Sequence, residues 1–344
     1  MKTLRSIISA LLLTGTTVAM AGGNWQTLPE TAPAPANNPT TSAKAHLGKM
    51  LYHDPRLSAS GTVACASCHN VMAGGEDNRA GSVGIRGQVG GRSAPTVWNA
   101  AFNSVQFWDG RADSLEAQAK GPVTNPIEMG MKSWDDAIAA LKQIPGYKPA
   151  FSAAFNSDEI TQERVVQAIA AYERTLITPN SPYDRYVKGD SSALTDQQVR
   201  GMNTFAEIGC NHCHGGPAFN GPALPQGQGF FMKFPINPNP ELESKYELSA
   251  DSGRAQVTKS ADDAHLFKVP TLRNIALTAP YFHNGNVKTL DEAVRVMAKV
   301  QLDKNLDDKQ VGDITAFLNA LTGEFPRQDM PRLPATPGKT FPFE

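Results

Sequence analysis

Two short strings constrain this chain more than any other feature: Cys65-Ala66-Ser67-Cys68-His69 and Cys210-Asn211-His212-Cys213-His214. Each reads C-x-x-C-H. Two thiols on one turn can add across the two vinyl groups of a haem, and the His that follows then lies under the iron as its proximal ligand. The same four cysteines can instead form disulfides or a redox-active dithiol, which an oxidising compartment permits. A chain of 344 residues needs no disulfide staples, however, and both couples carry the same trailing His. The reading is therefore two covalently bound haem c groups, attached through Cys65, Cys68, Cys210 and Cys213, with His69 and His214 as iron ligands.

The couples lie 145 residues apart, Cys65 to Cys210, which predicts two haem units in sequence and not one multihaem cluster. Helical signals surround both. Ala43, Leu47, Met50 and Leu51 recur at helical spacing before the first motif, and Thr161 opens a helix through Val165, Ile169 and Leu176. Thr195 with Gln198, Thr289 with Glu292 and Asp307 with Gln310 read as capping boxes, the last opening a helix with Gly323 past its end. Strand signals are weak throughout. The prolines of Thr178-Pro179-Asn180-Ser181-Pro182 mark the domain boundary. The expectation is a mainly α chain of two cytochrome c-like haem domains in tandem, 42–180 and 181–344, with long irregular loops and a C-terminal extension.

The first 21 residues read as an address. Lys2 and Arg5 precede an apolar stretch that ends in Ala19-Met20-Ala21, a small-x-small cleavage pattern, so a signal peptide over 1–21 and export to the periplasm are expected. A flexible leader rich in Pro and Ala follows over 22–41. With Lys+Arg 32 against Asp+Glu 33 there is no basic excess to track a phosphate backbone, which excludes nucleic acid as a partner.

Each iron needs its sixth position explained. A His/Met pair raises the potential of a haem and suits it to electron transfer, whereas an open position suits it to a small oxidant. Among the 10 Met of the chain, Met297 lies in a capped helix well after the second motif, where a helical cytochrome domain can return a thioether to its iron.

Longer strings carry a resemblance. Leu51 to Ser58, Ala94 to Asn99, Gln106-Phe107-Trp108-Asp109-Gly110-Arg111, Leu176 to Tyr186, Leu272 to Gly285 and the Met297 helix are similar, in collinear order over nearly the whole mature chain, to the bacterial dihaem cytochrome c peroxidases. The resemblance implies two-electron reduction of hydrogen peroxide to water. It makes the haem on Cys65, Cys68 and His69 the low-potential peroxide site, and the haem on Cys210, Cys213 and His214, with Met297 as sixth ligand, the high-potential site of electron entry. It assigns Trp108 to the space between the haems, Glu128 to the acid of the peroxide pocket, Gln118 to the amide beside it, and His283 to the haem interface. A small cytochrome c or cupredoxin is the implied donor and a homodimer the implied assembly. A calcium ion with carbonyl donors near Thr278 and Pro280 is also implied, although Ser93 stands where relatives often carry Asn.

One departure stands out. Many relatives close the oxidised peroxide haem with a His on a mobile loop, and that position falls at about Ile85 here. No His occurs between His69 and His212, and Ile cannot ligate iron. The peroxide haem is therefore expected to be open in the oxidised protein, with no need of reductive activation, unless Met72 or Gln88 closes it. His46, His53, His212 and His265 read as packing or surface residues. Two other classes stay open: a MauG-like haem enzyme that oxidises protein side chains, in which a Tyr usually replaces the Met ligand, and a dihaem electron carrier or sensor without turnover.

Overall fold

The computed structural model describes residues 24–336; the expected signal peptide and its cleavage site lie outside the described residues. Among the described residues there are eight α-helices of nine residues or more: α1 (Ser42–Tyr52), α2 (Leu115–Thr124), α3 (Trp134–Lys142), α4 (Tyr147–Phe155), α5 (Gln162–Glu173), α6 (Asp196–Glu207), α7 (Leu290–Leu302) and α8 (Asp308–Asn319). Sheet is confined to one antiparallel pair among the described residues, β1 (Phe231–Lys233) with β2 (Leu266–Lys268), in the register Phe231 to Lys268. The expectation of a mainly helical chain holds.

The helix starts follow the capping chemistry. Thr41, Thr161 and Thr195 accept from the backbone N–H of Lys44, Arg164 and Gln198, and the boxes Thr195/Gln198 and Asp307/Gln310 close in both directions. Thr289 accepts from the Glu292 N–H, but the expected reciprocal bond is missing. The Glu292 carboxylate instead takes Lys245 Nζ at 2.9 Å and the Tyr246 hydroxyl. Nor does Gly323 cap α8, which ends at Ala320 in right-handed helical geometry. Gly323 is small for another reason: a Cβ there would run into the Thr178 carbonyl.

Two helix crossings frame the two haem motifs. In the first, α1 packs on α5, and a Cβ at Gly48 would collide with the Ala168 carbonyl; in the second, α6 packs on α8, and a Cβ at Gly201 would collide with the Asp313 carbonyl. Close backbone approach demands glycine at both places. One buried cluster runs from Leu47 to Leu176 around α1, α3, α4 and α5. A second, from Tyr183 to Leu321, surrounds Phe219 and Phe317, and a third gathers Phe234, Phe267, Tyr281 and Val296 beneath α7.

The leader expected to be flexible is laid against the C-terminal half. Trp25 meets Tyr183, Phe219 and Phe317 at centroid distances of 6.1, 6.3 and 6.0 Å, and Leu28 is 1% exposed. Further along, Asn38 bonds Glu116 at 2.7 Å in the N-terminal half. The C-terminal extension crosses in the opposite sense. Phe325 packs edge-on to Trp98 at 4.8 Å, Tyr172 donates to Gln328, and Arg56 donates to the Pro334 carbonyl.

Candidate active site

The first haem motif forms a single helical turn, Cys65–Cys68, which turns both thiols toward a cavity of about 580 Å³. Cys65, Cys68, His69, Trp108, Gln118 and Glu128 all line it. His69 Nδ1 donates to the Pro95 carbonyl at 3.0 Å, which leaves Nε2 free for a metal, and the Tyr52 hydroxyl donates to the His69 carbonyl at 2.7 Å. Burial lowers the His69 pKa, so the ring is the neutral imidazole a metal requires. Gln118 comes from α2 and Glu128 from the turn after it. Burial raises the Glu128 pKa, opposed by the Arg111 guanidinium and by Asn125 Nδ2, which donates at 2.9 Å.

The second motif lines a separate cavity together with Met297 of α7. His214 Nδ1 donates to the Phe219 carbonyl at 3.1 Å and is also engaged by the Pro270 backbone. This cavity is walled mainly by Phe205, Ile208, Phe234, Leu290, Val294 and Ile314, with no carboxylate on it. Lys268 is the exception. It is 8% exposed, makes no ion pair among the described residues, and burial pushes its pKa down to about 8.

One wall serves both cavities. Ser93, Ala94, Pro95, Thr96 and Trp108 line the first and the second alike. Trp108 Nε1 donates to the Ser93 carbonyl at 2.9 Å, the Ser93 N–H donates to the His283 carbonyl at 2.8 Å, and the rings of Trp108 and His283 stand edge to face at 6.4 Å. His283 itself is 2% exposed, stacks on Phe267 at 4.3 Å, and leaves Nε2 without a partner among the described residues. Burial takes its pKa down to about 4, so this ring is neutral too.

That wall is a repeat which the sequence reading missed. Pro95, Thr96, Asn99, Phe107 and Gly110 recur as Pro270, Thr271, Asn274, Phe282 and Gly285, each 175 residues on. Asn99 and Asn274 share a left-handed backbone and both donate to Thr178 Oγ1, at 2.8 and 2.9 Å. Trp108 and His283 occupy equivalent places in the two copies. The spacing is legible in the sequence, but only if the chain is compared with itself away from the cysteines.

The residues present fit haem. The Cys65 and Cys210 thiols are pushed up to about 12 by burial, the opposite of the lowered pKa a redox dithiol needs, and the four cysteines are unpaired. Buried Lys268, facing a cavity without an acid, suits a cofactor that brings carboxylates of its own. Thr278 and Pro280 line the second cavity, while the Ser93 hydroxyl donates to the Arg79 carbonyl at 3.1 Å. Among the described residues no cluster of three or more His, Cys, Asp or Glu could hold a metal ion, so the calcium expectation rests on backbone carbonyls.

Residues 42–192 match the family model of the di-haem cytochrome c peroxidases. The chain is 46% identical over 293 residues to cytochrome c peroxidase Ccp of Escherichia coli (strain K12), covering 85% of this chain and 61% of that protein's length. It is 43% identical over 308 residues to cytochrome c551 peroxidase of Nitrosomonas europaea, covering 90% of this chain and 88% of the other. The chain belongs to the di-haem cytochrome c peroxidase family. Among solved structures, a MauG-like protein associated with microbial copper homeostasis superposes with a TM-score of 0.75 at 29% identity, over 88% of this chain and 96% of that one. No helix among the described residues is long and apolar enough to cross a membrane.

The position expected to lack a closing ligand is occupied by a buried anchor. Ile85 is 4% exposed and packs over Gly130, and its N–H donates to the Glu128 carbonyl at 2.9 Å. The Gly84 N–H donates to the Gln88 carbonyl at 2.8 Å, and Gln88 Nε2 donates to the Pro126 carbonyl at 2.9 Å. The loop is thus docked on the turn that carries Glu128, and the Gln88 amide is spent on that docking. Met72 is 65% exposed and does not line the cavity.

Proposed function

We propose that this chain reduces hydrogen peroxide to water in the cavity of Cys65, Cys68 and His69, drawing electrons through the cavity of Cys210, Cys213 and His214 from a small periplasmic cytochrome c or cupredoxin. Two electrons and two protons convert one peroxide to two waters. The observation that carries this reading is the unequal lining of the two cavities. Glu128 and Gln118 stand in the first, and Met297 stands in the second among apolar side chains. A haem c in each domain of the tandem pair supplies the redox chemistry when bound, high in potential where Met completes the ligand set and open to an oxidant where nothing does.

The protein groups divide the remaining work. The carbonyls of Pro95 and Phe219 orient His69 and His214 by accepting from Nδ1, and burial lowers both pKa values, which favours the neutral rings. Glu128 takes a proton from the nearer oxygen of the peroxide and returns it to the departing one, a task helped by a pKa that burial raises toward the working range. Gln118 orients the peroxide by hydrogen bonding. Trp108, on the wall common to both cavities, assists electron transfer from the second unit to the first, and His283 packs beside it. Because Ile85 docks its loop by main-chain and apolar contacts, the first cavity stays accessible in the oxidised protein. Met297, where MauG-like enzymes usually carry Tyr, speaks against side-chain oxidation as the primary activity.

The test is peroxide consumption with reduced cytochrome c, begun from fully oxidised enzyme and from enzyme pre-reduced by one electron. Equal rates without a lag are expected, and Glu128→Gln should keep both haems while losing turnover by about 10²–10⁴-fold, the usual span of a general acid–base. A dead oxidised form rescued by pre-reduction overturns the open site. Full turnover in Glu128→Gln overturns the proton assignment.

A further inference from the structure

The two haem units are partial repeats, offset by 145 residues through the cysteine couples and the helices α5 and α8 beside them and by 175 through the shared wall, so positions on matching helices can be compared. α5 presents Ile169 and then Glu173 to the first cavity, and α8 presents Ile314 and then Leu318 to the second. Each pair is 145 residues apart, the same offset as the two cysteine couples. Where the electron-entry cavity has a leucine, the peroxide cavity has a carboxyl.

That carboxyl is costly to keep. Glu173 is 5% exposed, and its Oε2 has no hydrogen-bond partner among the described residues. The adjacent cation compensates it only in part: Arg174 Nη2 donates to Glu116 at 2.7 Å, its Nη1 has no partner among the described residues, and its charge lowers the Glu173 pKa less than burial raises it. Glu173 also ends α5, where the helix carbonyls disfavour a negative charge. The groups around it are Tyr52 of α1, Cys65 of the haem motif, Glu116 of α2, Tyr172 and Arg174 of its own segment, and Glu128 across the cavity. None neutralises it. A position that served packing alone would carry Leu, as its counterpart does.

We propose that Glu173 is a proton-holding group of the first haem cavity, taking a proton from solvent as one electron enters the haem held by Cys65 and Cys68 and releasing it when the electron leaves. One negative charge arrives at the iron and one positive charge at the carboxylate, so the net charge of the buried site does not change. Charge compensation is worth most where the dielectric is low. Burial raises this carboxyl to about 8, which leaves its proton exchangeable near neutral pH. The inference rests on haem being attached at the first motif.

The test is a potentiometric titration of the first haem in the holoprotein at pH values between about 6 and 9, across the raised carboxyl range. The wild-type midpoint potential should fall as pH rises, with a slope approaching one proton per electron, because the ionised carboxylate favours the oxidised iron. Glu173→Gln and Glu173→Leu, the latter copying the second cavity, should flatten the profile, while Glu128→Gln should keep the slope. A slope that survives in both Glu173 variants, or that disappears only in Glu128→Gln, overturns the proposal. Loss of the first haem from both Glu173 variants would make the residue a folding element and overturn it as well. Wild-type protein carrying haem only on Cys210 and Cys213 would instead reject the reading of the first motif, and is seen in the haem count before any titration.

Discussion

At the scale of single residues, the buried ion pair between Arg273 and Asp184 shows how a charge inside the fold is kept. Both side chains are fully buried. Arg273 Nη1 and Nη2 each reach one Asp184 oxygen at 2.8 Å, and Asp184 also accepts from Ser181 and from the Leu28 N–H. Burial alone would raise the Asp184 pKa, but Arg273 and the hydrogen bonds outweigh it and hold the carboxyl below the usual value. A depressed carboxylate stabilises the fold above its unfolded pKa of about 3.9, and that contribution is lost as pH falls through the folded value. Asp184→Asn leaves Arg273 buried without its countercharge and should cost about 3–5 kcal/mol at pH 7 in denaturant unfolding. The gap to wild type should begin to narrow below about pH 4, where the unfolded chain takes up the proton, and go on closing at the lower pH where folded Asp184 is protonated. A gap independent of pH would mean that the ion pair is not what Asp184 contributes.

The loop over 81–91 behaves as an element although it contains no long helix or strand. Val83 pairs with Val89 across its base, Ile85 is buried, and the Glu128 carbonyl receives the Ile85 N–H. A loop held in this way has no ligand to offer and fixes the backbone of the acid opposite. Ile85→Ala removes the anchor and should cost about 2–5 kcal/mol, the range for truncating a well-packed isoleucine. Hydrogen exchange should then accelerate over Val83–Gly90 and at the Glu128 turn, with the protection of α1 and α5 unchanged. Uniform loss of protection across all four would show that Ile85 supports the core rather than this loop.

On the scale of the whole molecule, the two ends of the described chain act as opposed straps. Trp25 and Leu28 bind the leader to the C-terminal half, and Phe325, Gln328 and Pro334 bind the extension to the N-terminal half. Arg92 ties the halves again through Asp109 at 2.5 Å and Asp251 at 2.6 Å. The wall of Ser93–Thr96 and Trp108 common to both cavities lies at this junction with His283 beside it, so fixing the halves fixes the spacing between the two cavities. Ending the chain after Gly323 should lower the thermal midpoint by roughly 1–2 °C per kcal/mol of lost contact, as measured by calorimetry of the holoprotein. An unchanged midpoint would show that the extension only rests on the surface.

The sequence by itself determined the chemistry that is written in adjacent residues. C-x-x-C-H needs only neighbours on one turn, so both haem motifs were readable, as were the helix starts at Thr161, Thr195 and Asp307, where cap and box are local. Glu128, Gln118, Trp108 and Met297 could be named only through long strings shared with a family, because nothing in their spacing brings them to a haem. Tertiary structure alone decided what depends on distant partners. It turned Glu292 from its cap to Lys245 and Tyr246, made Ile85 an anchor where only a missing ligand was visible, and buried Glu173 without a partner. It also folded the two copies of the Pro-Thr-x-x-Asn wall onto Thr178. Burial and pairing between residues far apart in the chain set these outcomes, and a linear pattern carries no record of which remote surface a side chain will meet.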